Sequence, residues 1–231
     1  MLSYEDAALR KTEATGFGGV EASLGLAEAL AEALDARDRY TAGHSLRVAD
    51  YAYGIARELE LGERHTENIR LAAWLHDVGK IGIPDAVLLK SGPLTAEEFG
   101  LVKLHPQIGR RILERAPGFE ALLDAVELHH ENYDGSGYSY GFAGENIHFD
   151  ARLIRVADAF DAMTSHRSYR SAFTAEAAMA EIHRGSGREF DPRCAVALLS
   201  VLRRAGRGEL TRAAGCDLIP APPAVIERLI A

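Results

Sequence analysis

The sequence predicts an all-α protein built around one packed unit. Stretches rich in Ala, Leu and Glu carry apolar residues at helical spacing, as in residues 21–39, EASLGLAEALAEALDARDR. No run alternates apolar and polar residues for long enough to build a sheet, and no internal repeat is visible. We therefore expect one helical domain at 24–205, between an N-terminal extension at 1–23 and a tail at 206–231 with one short helix.

Start and stop signals divide the chain into helices. Gly62 is a helix stop, Thr95 to Glu98 has the spacing of a capping box, and Pro106 suits a first helical turn. Residues 132–149, NYDGSGYSYGFAGENIHF, contain four glycines and predict a long loop. After the first helix, the expected helices cover 44–60, 64–77, 96–104, 106–115, 118–131, 150–166, 175–185 and 192–204.

Composition argues against several classes of function. The net charge of −8 is unsuited to a general nucleic-acid binder, although a small anion can still bind in a local basic pocket. No apolar run approaches the ~18–20 residues that span a bilayer, and the N-terminus lacks the pattern of a signal peptide. The two cysteines match no metal-ligand spacing and no disulfide framework, so we expect a cytoplasmic protein without a membrane partner.

Histidine and aspartate side chains recur on the apolar faces of the predicted helices. A lone histidine on such a face is usually a hydrogen-bonded core residue, but burying this many without compensation costs too much free energy. A metal centre would satisfy them together, and nitrogen and carboxylate ligands without thiolate suit Mn, Fe, Co, Ni or Zn. This number of ligands is too large for one ion and would suit two ions, with Asp77 as a ligand to both. These residues are His44, His76, Asp77, His105, His129, His130, Asp158 and Asp161.

Four blocks of sequence resemble a known family. HDVGK at 76–80 is similar to the signature of HD-domain phosphohydrolases. HHENYDGSGY at 129–138, GFAGENI at 141–147 and RLIRVADAFDAMTSHRSYR at 152–170 resemble the HD-GYP subgroup, in the same order and spacing. The resemblance covers about 25–205. It implies a helical bundle with a buried bi- or trinuclear metal site, and a catalytic domain that cleaves cyclic di-GMP or a related cyclic dinucleotide.

The resemblance also implies roles for particular residues. Asp77 would bridge the ions, and Lys80 would contact substrate phosphate, so both are expected to be catalytic. Gly137 and Tyr138 belong to the GYP loop at the substrate, and Arg167 and Arg170 match positions near the second phosphate. The implied metal ligands are His44, His76, Asp77, His105, His129, His130 and Asp158.

Three positions depart from the family pattern. Ser139 replaces the proline of GYP, and residues 167–170 read RSYR where many members have RPYR. Tyr40 stands where three-metal members have a glutamate, and a phenol with a pKa near 10 is a poor ligand. We therefore expect two ions, with iron or manganese favoured and Ni, Co or Zn also compatible.

Some interpretations stay open at this level. Lys80 could be a solvated residue, and Tyr138 could pack within the loop rather than touch substrate. Glu131 is a candidate to orient a ligand imidazole, Asp161 is expected beside the ligands rather than among them, and Arg152 is expected to face solvent.

The expected reaction is hydrolysis of cyclic di-GMP to pGpG, with GMP after a second round. The alternatives are another nucleotide, a hybrid such as cyclic GMP-AMP, or a non-catalytic module that docks a GGDEF-type domain. Regulatory input from a sensor or receiver partner is also expected.

Overall fold

A computed structural model of the chain describes residues 18–37, 43–165 and 172–206, and confirms the all-α prediction. Within these ranges there is no β-strand; one isolated bridge joins Ser186 to Phe190. The helices are α1 Gly18–Arg37, α2 His44–Glu58, α3 Glu63–Leu75, α4 Asp85–Leu88, α5 Ala96–Val102, α6 His105–Leu113, α7 Leu123–Leu128, α8 Phe149–Thr164, α9 Ala175–Gly185 and α10 Pro192–Gly206. Three 3₁₀ turns cover Val78–Gly82, Glu120–Leu122 and Gly144–Asn146.

Helices α2, α3 and α8 pack against one another around the main core. The stripe predicted on α2 is confirmed, because Val48, Ala52 and Ile55 are fully buried. Ile154 of α8 and Ile69 of α3 are buried in the same cluster. Each aliphatic side chain of this size stabilises the fold by about 1.5–3 kcal/mol on burial. This packing fixes the ends of the helices from which the polar cluster described below projects.

Most of the predicted helices end two or three residues early, and two of them adjoin 3₁₀ turns that the sequence did not predict. The helix expected at 64–77 stops at Leu75, and a 3₁₀ turn follows Asp77. Gly79 explains the change, because a Cβ there would lie 1.9 Å from the carbonyl oxygen of His105, so the turn packs directly on the α6 backbone. The helix expected at 118–131 is split, since Gly118 has a φ of +94° and a 3₁₀ turn precedes α7.

The predicted glycine-rich loop at 132–149 is confirmed as a connection without long helices. Tyr133 N–H and Asp134 N–H donate to the carbonyls of Glu189 and Arg188, so the loop lies against the turn between α9 and α10. Arg152, expected to face solvent, is instead buried. Its guanidinium donates to the carbonyl of Ile147 at 3.0 Å and to Asp191 Oδ2 at 2.5 Å. Arg152 thus supplies a hydrogen-bond donor to the buried carbonyl at the end of the loop.

The predicted tail helix lies outside the described residues, as does most of the N-terminal extension. The domain boundaries at 23/24 and 205/206 therefore stay predictions.

Candidate metal centre

The seven predicted ligands come together in one place. His44 begins α2, His76 and Asp77 follow α3, and His105 begins α6. His129 and His130 follow α7, and Asp158 lies in α8. Six of the seven are buried; His130 is partly exposed. All but Asp158 lie at helix ends, where the chain changes direction and can aim a side chain into the space between helices.

Asp77 is shared by two groups of potential ligand atoms. Asp77, His105, His129 and His130 form one group, and His44, His76 and Asp77 form the other, with the atoms of each group within 4.8 Å of one another. Asp77 Oδ1 lies 3.2 Å from His105 Nε2, whereas Oδ2 lies 3.4 Å from His76 Nε2. The two oxygens of one carboxylate therefore face different groups. Asp158 joins the second group, with Oδ1 3.3 Å from His44 Nε2.

Hydrogen bonds to backbone carbonyls orient three of the imidazoles. The Nδ1 atoms of His76, His105 and His129 lie 2.7, 2.8 and 2.7 Å from the carbonyl oxygens of Ala73, Val102 and Val126. A carbonyl only accepts, so each Nδ1 carries a proton, and each ring in its neutral form presents an Nε2 lone pair to the cluster.

The donor set fits a metal ion better than a hydrogen-bond network. His105 Nε2 and His129 Nε2 are 3.3 Å apart although both Nδ1 atoms already donate, so two lone pairs face each other when both rings are neutral. A cation between such atoms removes the conflict. Imidazole and carboxylate ligands without thiolate match divalent transition metals. The cluster could therefore hold metal.

The pKa shifts of four of the candidate ligands agree with this interpretation. Burial lowers the pKa of His129 and of His130 well below the ordinary value, and neighbouring histidines add to the shift. Burial opposes ionisation of Asp77, but the positive charge of Lys80 outweighs it and holds its pKa well below the ordinary value. Burial likewise opposes ionisation of Asp158, and the hydrogen bond from His44 outweighs it. Neutral imidazoles and ionised carboxylates are the forms that bind metals.

His44 is held differently from the other histidines. Its Nδ1 lies 2.6 Å from Asp161 Oδ2, and Arg47 Nε donates to Asp161 Oδ1 at 2.6 Å. Burial would lower the pKa of His44, but hydrogen bonds to Asp158 and Asp161 raise it to about 9. Asp161 thus lies beside the ligands, where the sequence placed it. Arg47 was missed, although it follows His44 by three residues and so shares its helical face.

Lys80 and Tyr138 lie at the edge of the cluster. Lys80 Nζ is 2.7 Å from Asp77 Oδ2, and its side chain is 20% exposed. The Tyr138 ring stacks on the His130 ring at 4.7 Å between centroids. Gly137 allows this approach, because a Cβ there would lie 2.3 Å from Asn132 N and 2.4 Å from the His130 carbonyl oxygen.

Glu131 does not contact a ligand imidazole in the part of the chain that the structure describes, so that interpretation is wrong. Its buried carboxylate accepts from Tyr140 N–H at 2.6 Å and Gly141 N–H at 3.1 Å. A buried carboxylate needs such donors, and the loop backbone supplies them. Glu131 directly follows His130 in the chain. Its carboxylate therefore links His130 to the part of the GYP loop that contains Tyr140 and Gly141.

Arg37, also missed, holds the segment that carries Lys80. Its guanidinium donates to the carbonyl oxygens of Lys80 at 3.1 Å and Ile83 at 2.5 Å, and to Asp85. No local pattern in the sequence links α1 to this turn. Three residues with predicted roles, Tyr40, Arg167 and Arg170, lie outside the described residues.

The fold and the cluster define an all-α protein with a candidate His/Asp metal centre, and comparison with known proteins gives its family. The model of the HD domain family matches residues 28–194. The chain belongs to the HD-domain family and, as the resemblance predicted, to its HD-GYP group.

Relatives and solved structures agree with this assignment. The chain is 44% identical over 188 residues to the cyclic di-GMP phosphodiesterase response regulator RpfG of Xanthomonas campestris, covering 80% of this chain and 48% of that protein. It is 38% identical over 174 residues to 3'3'-cGAMP-specific phosphodiesterase 3 of Vibrio cholerae, covering 75% and 38%. The chain thus spans less than half of each relative. Bd1817, an HDG"Y"P protein from Bdellovibrio bacteriovorus, shares the fold with a TM-score of 0.57 at 20% identity, covering 69% and 51%.

None of the helices in the described ranges combines the length and apolar character that crossing a bilayer requires.

Proposed function

We propose that the chain hydrolyses cyclic di-GMP to pGpG, and pGpG to GMP in a slower second round. The observation that carries this proposal is the shared carboxylate, because Asp77 presents one oxygen to each of two ligand groups while Lys80 lies against it. Relatives named as cyclic di-GMP phosphodiesterases support it, at 44% identity in Xanthomonas campestris and 42% in Vibrio cholerae.

The seven clustered side chains would hold two divalent ions, with iron or manganese favoured. Two ions in such a site supply Lewis-acid activation of a phosphodiester and of water. His105, His129 and His130 would bind one ion, and His44, His76 and Asp158 the other, with Asp77 between them.

Lys80 would place a positive charge beside the scissile phosphate. Its ammonium is partly exposed and lies 2.7 Å from Asp77, so a phosphate at the ligand cluster comes within its reach. It would stabilise the negative charge that develops on the phosphate oxygens during hydrolysis. Gly137 and Tyr138 would border the substrate on the loop side, and Arg167 and Arg170 would contact the second phosphate.

A hybrid dinucleotide is the second candidate substrate. The likeness to a 3'3'-cGAMP-specific enzyme of Vibrio cholerae favours it at 38% identity. A docking role without catalysis is less well supported, since every predicted ligand within the cluster is retained. Pairing with a GGDEF-type, sensor or receiver partner stays a prediction.

The test is a direct assay of the purified chain with measured metal content. We expect hydrolysis of cyclic di-GMP to pGpG, about two ions per chain, and loss of both activity and metal after chelation. His129→Ala should lose metal and activity, whereas His183→Ala, a matched change at an exposed histidine of α9, should keep both. Lys80→Ala should keep the metal and lower kcat/KM by roughly 10²-fold.

Three outcomes would contradict the proposal. A metal-loaded chain that hydrolyses no cyclic dinucleotide would exclude the enzyme. His129→Ala with full metal would exclude the ligand assignment. A content of about three ions per chain would show that another side chain binds the third ion in place of the glutamate that Tyr40 replaces.

A further inference from the structure

Phe99, Lys103 and Tyr138 form a second feature, the aromatic–lysine lip, next to the ligand cluster. Lys103 N–H donates to the Phe99 carbonyl at 3.0 Å, so the two residues are one helical turn apart on the same face. Lys103 Nζ lies 4.8 Å from the centroid of the Phe99 ring and 5.3 Å from that of Tyr138. Because Tyr138 stacks on His130, the lip lies one ring away from the proposed metal centre.

Core packing does not account for the lip. Helix α5 has no buried residue, and Phe99 is 44% exposed. The helix is held instead by the capping box between Thr95 and Glu98 and by the ion pair of Lys90 with Glu98 at 2.5 Å. Within the described ranges, Lys103 forms no ion pair with a carboxylate. An exposed aromatic ring and an ammonium thus lie together one ring away from the ligand cluster.

We propose that the lip binds a purine base of the substrate and that Lys103 selects guanine over adenine. The inference rests on the proposed function, whose substrate specificity it would determine. An aromatic face stacks on any base, so the exposed ring of Phe99, with Tyr138 beside it, supplies affinity without discrimination. An ammonium has three donors and no acceptor, so Lys103 supplies the discrimination.

The edges of the two purines explain the preference. Guanine presents two adjacent acceptors, O6 and N7, whereas adenine presents the N7 acceptor beside an amino donor. The Lys103 ammonium can donate to both guanine atoms, but it meets a like donor on adenine. Lys80 lies against Asp77 and serves the phosphate, so the two lysines have separate tasks. A lysine that contacted only phosphate would treat both bases alike.

The test compares kcat/KM for cyclic di-GMP and cyclic di-AMP on the metal-loaded chain. Lys103→Met should lower the value for cyclic di-GMP roughly tenfold and that for cyclic di-AMP by less than about twofold. Phe99→Leu should lower both values by a similar factor, because stacking does not depend on the base. Arg184→Met, the same loss of charge on the exposed face of α9, should change neither. Thermal melting of each variant checks that the fold is retained.

An equal loss for both substrates in Lys103→Met, or no loss for either, overturns the base-reading role. If the unmodified chain hydrolyses neither substrate, the proposed function fails but the lip is still testable. Calorimetric titration of the metal-free chain with pGpG and pApA then decides. A preference for pGpG that disappears in Lys103→Met supports the lip, and equal or absent binding of the two overturns it.

Discussion

Gly79→Ala tests whether the contact between the Val78–Gly82 turn and α6 sets the geometry of the centre. The added Cβ would lie 1.9 Å from the His105 carbonyl oxygen and 2.4 Å from Gly109 N. Both are backbone atoms, so no change of rotamer relieves the contact. Restoring an ordinary separation of 3.4 Å requires the turn and α6 to move apart by about 1.5 Å.

That displacement has two measurable consequences. Overpacking of this kind costs about 1–3 kcal/mol of folding free energy, and for a chain of this size each kcal/mol lowers Tm by roughly 2–4 °C. We therefore expect Tm to fall by roughly 2–12 °C. Because metal sites tolerate deviations of about 0.2 Å, moving His105 away from Asp77 should weaken metal binding at least about tenfold.

Melting followed by circular dichroism in chelator measures stability without the contribution of bound metal, and elemental analysis of the untreated protein measures metal. Gly25→Ala is the matched control, since nothing lies within 4 Å of a Cβ at that position in α1. It should keep the metal and raise stability by up to about 1 kcal/mol. If Gly79→Ala melts like the unmodified chain and keeps its metal, the close approach does not set the centre.

Two further substitutions test the supports around the ligands. Asp161→Ala removes the acceptor for His44 and leaves Arg47 without this carboxylate, so metal affinity should fall about 10–100-fold in competition with a chelator; unchanged affinity would refute the orienting role. Glu131→Gln should keep the metals and raise KM several-fold, because an amide accepts the Tyr140 and Gly141 N–H groups less well; a loss of metal would show instead that Glu131 supports the ligands.

Local apolar spacing predicted the helices, and the candidate ligands were predicted from their place on apolar faces and from the family resemblance. Apolar spacing predicted α2 and α8. The buried faces of these two helices carry His44 and Asp158. The 3₁₀ turn after Asp77 was missed because its cause is Gly79 packing on α6, a contact between distant segments. The roles of Arg37 and Glu131 were missed or misjudged for the same reason, since their partners are backbone atoms of other segments that no spacing rule identifies.

The positions of the ligands at helix ends serve two purposes: they provide donors for terminal helix carbonyls, and they orient the imidazoles for metal binding. The last carbonyls of a helix lack intrahelical donors. His76, His105 and His129 each follow the end of a helix closely and donate Nδ1–H to the carbonyl three residues back, at Ala73, Val102 and Val126.

One hydrogen bond thus satisfies a terminal carbonyl and fixes the tautomer that turns Nε2 toward the cluster. His44 begins its helix instead of following one, and the carbonyl three residues before it lies outside the described residues. Its Nδ1 is held by Asp161, which Arg47 holds in turn. The tautomer of His44 therefore depends on a side chain of α8, whereas the other three depend on backbone that almost any substitution preserves. Mutations of supporting side chains should accordingly impair the His44 half of the centre more than the His105 half.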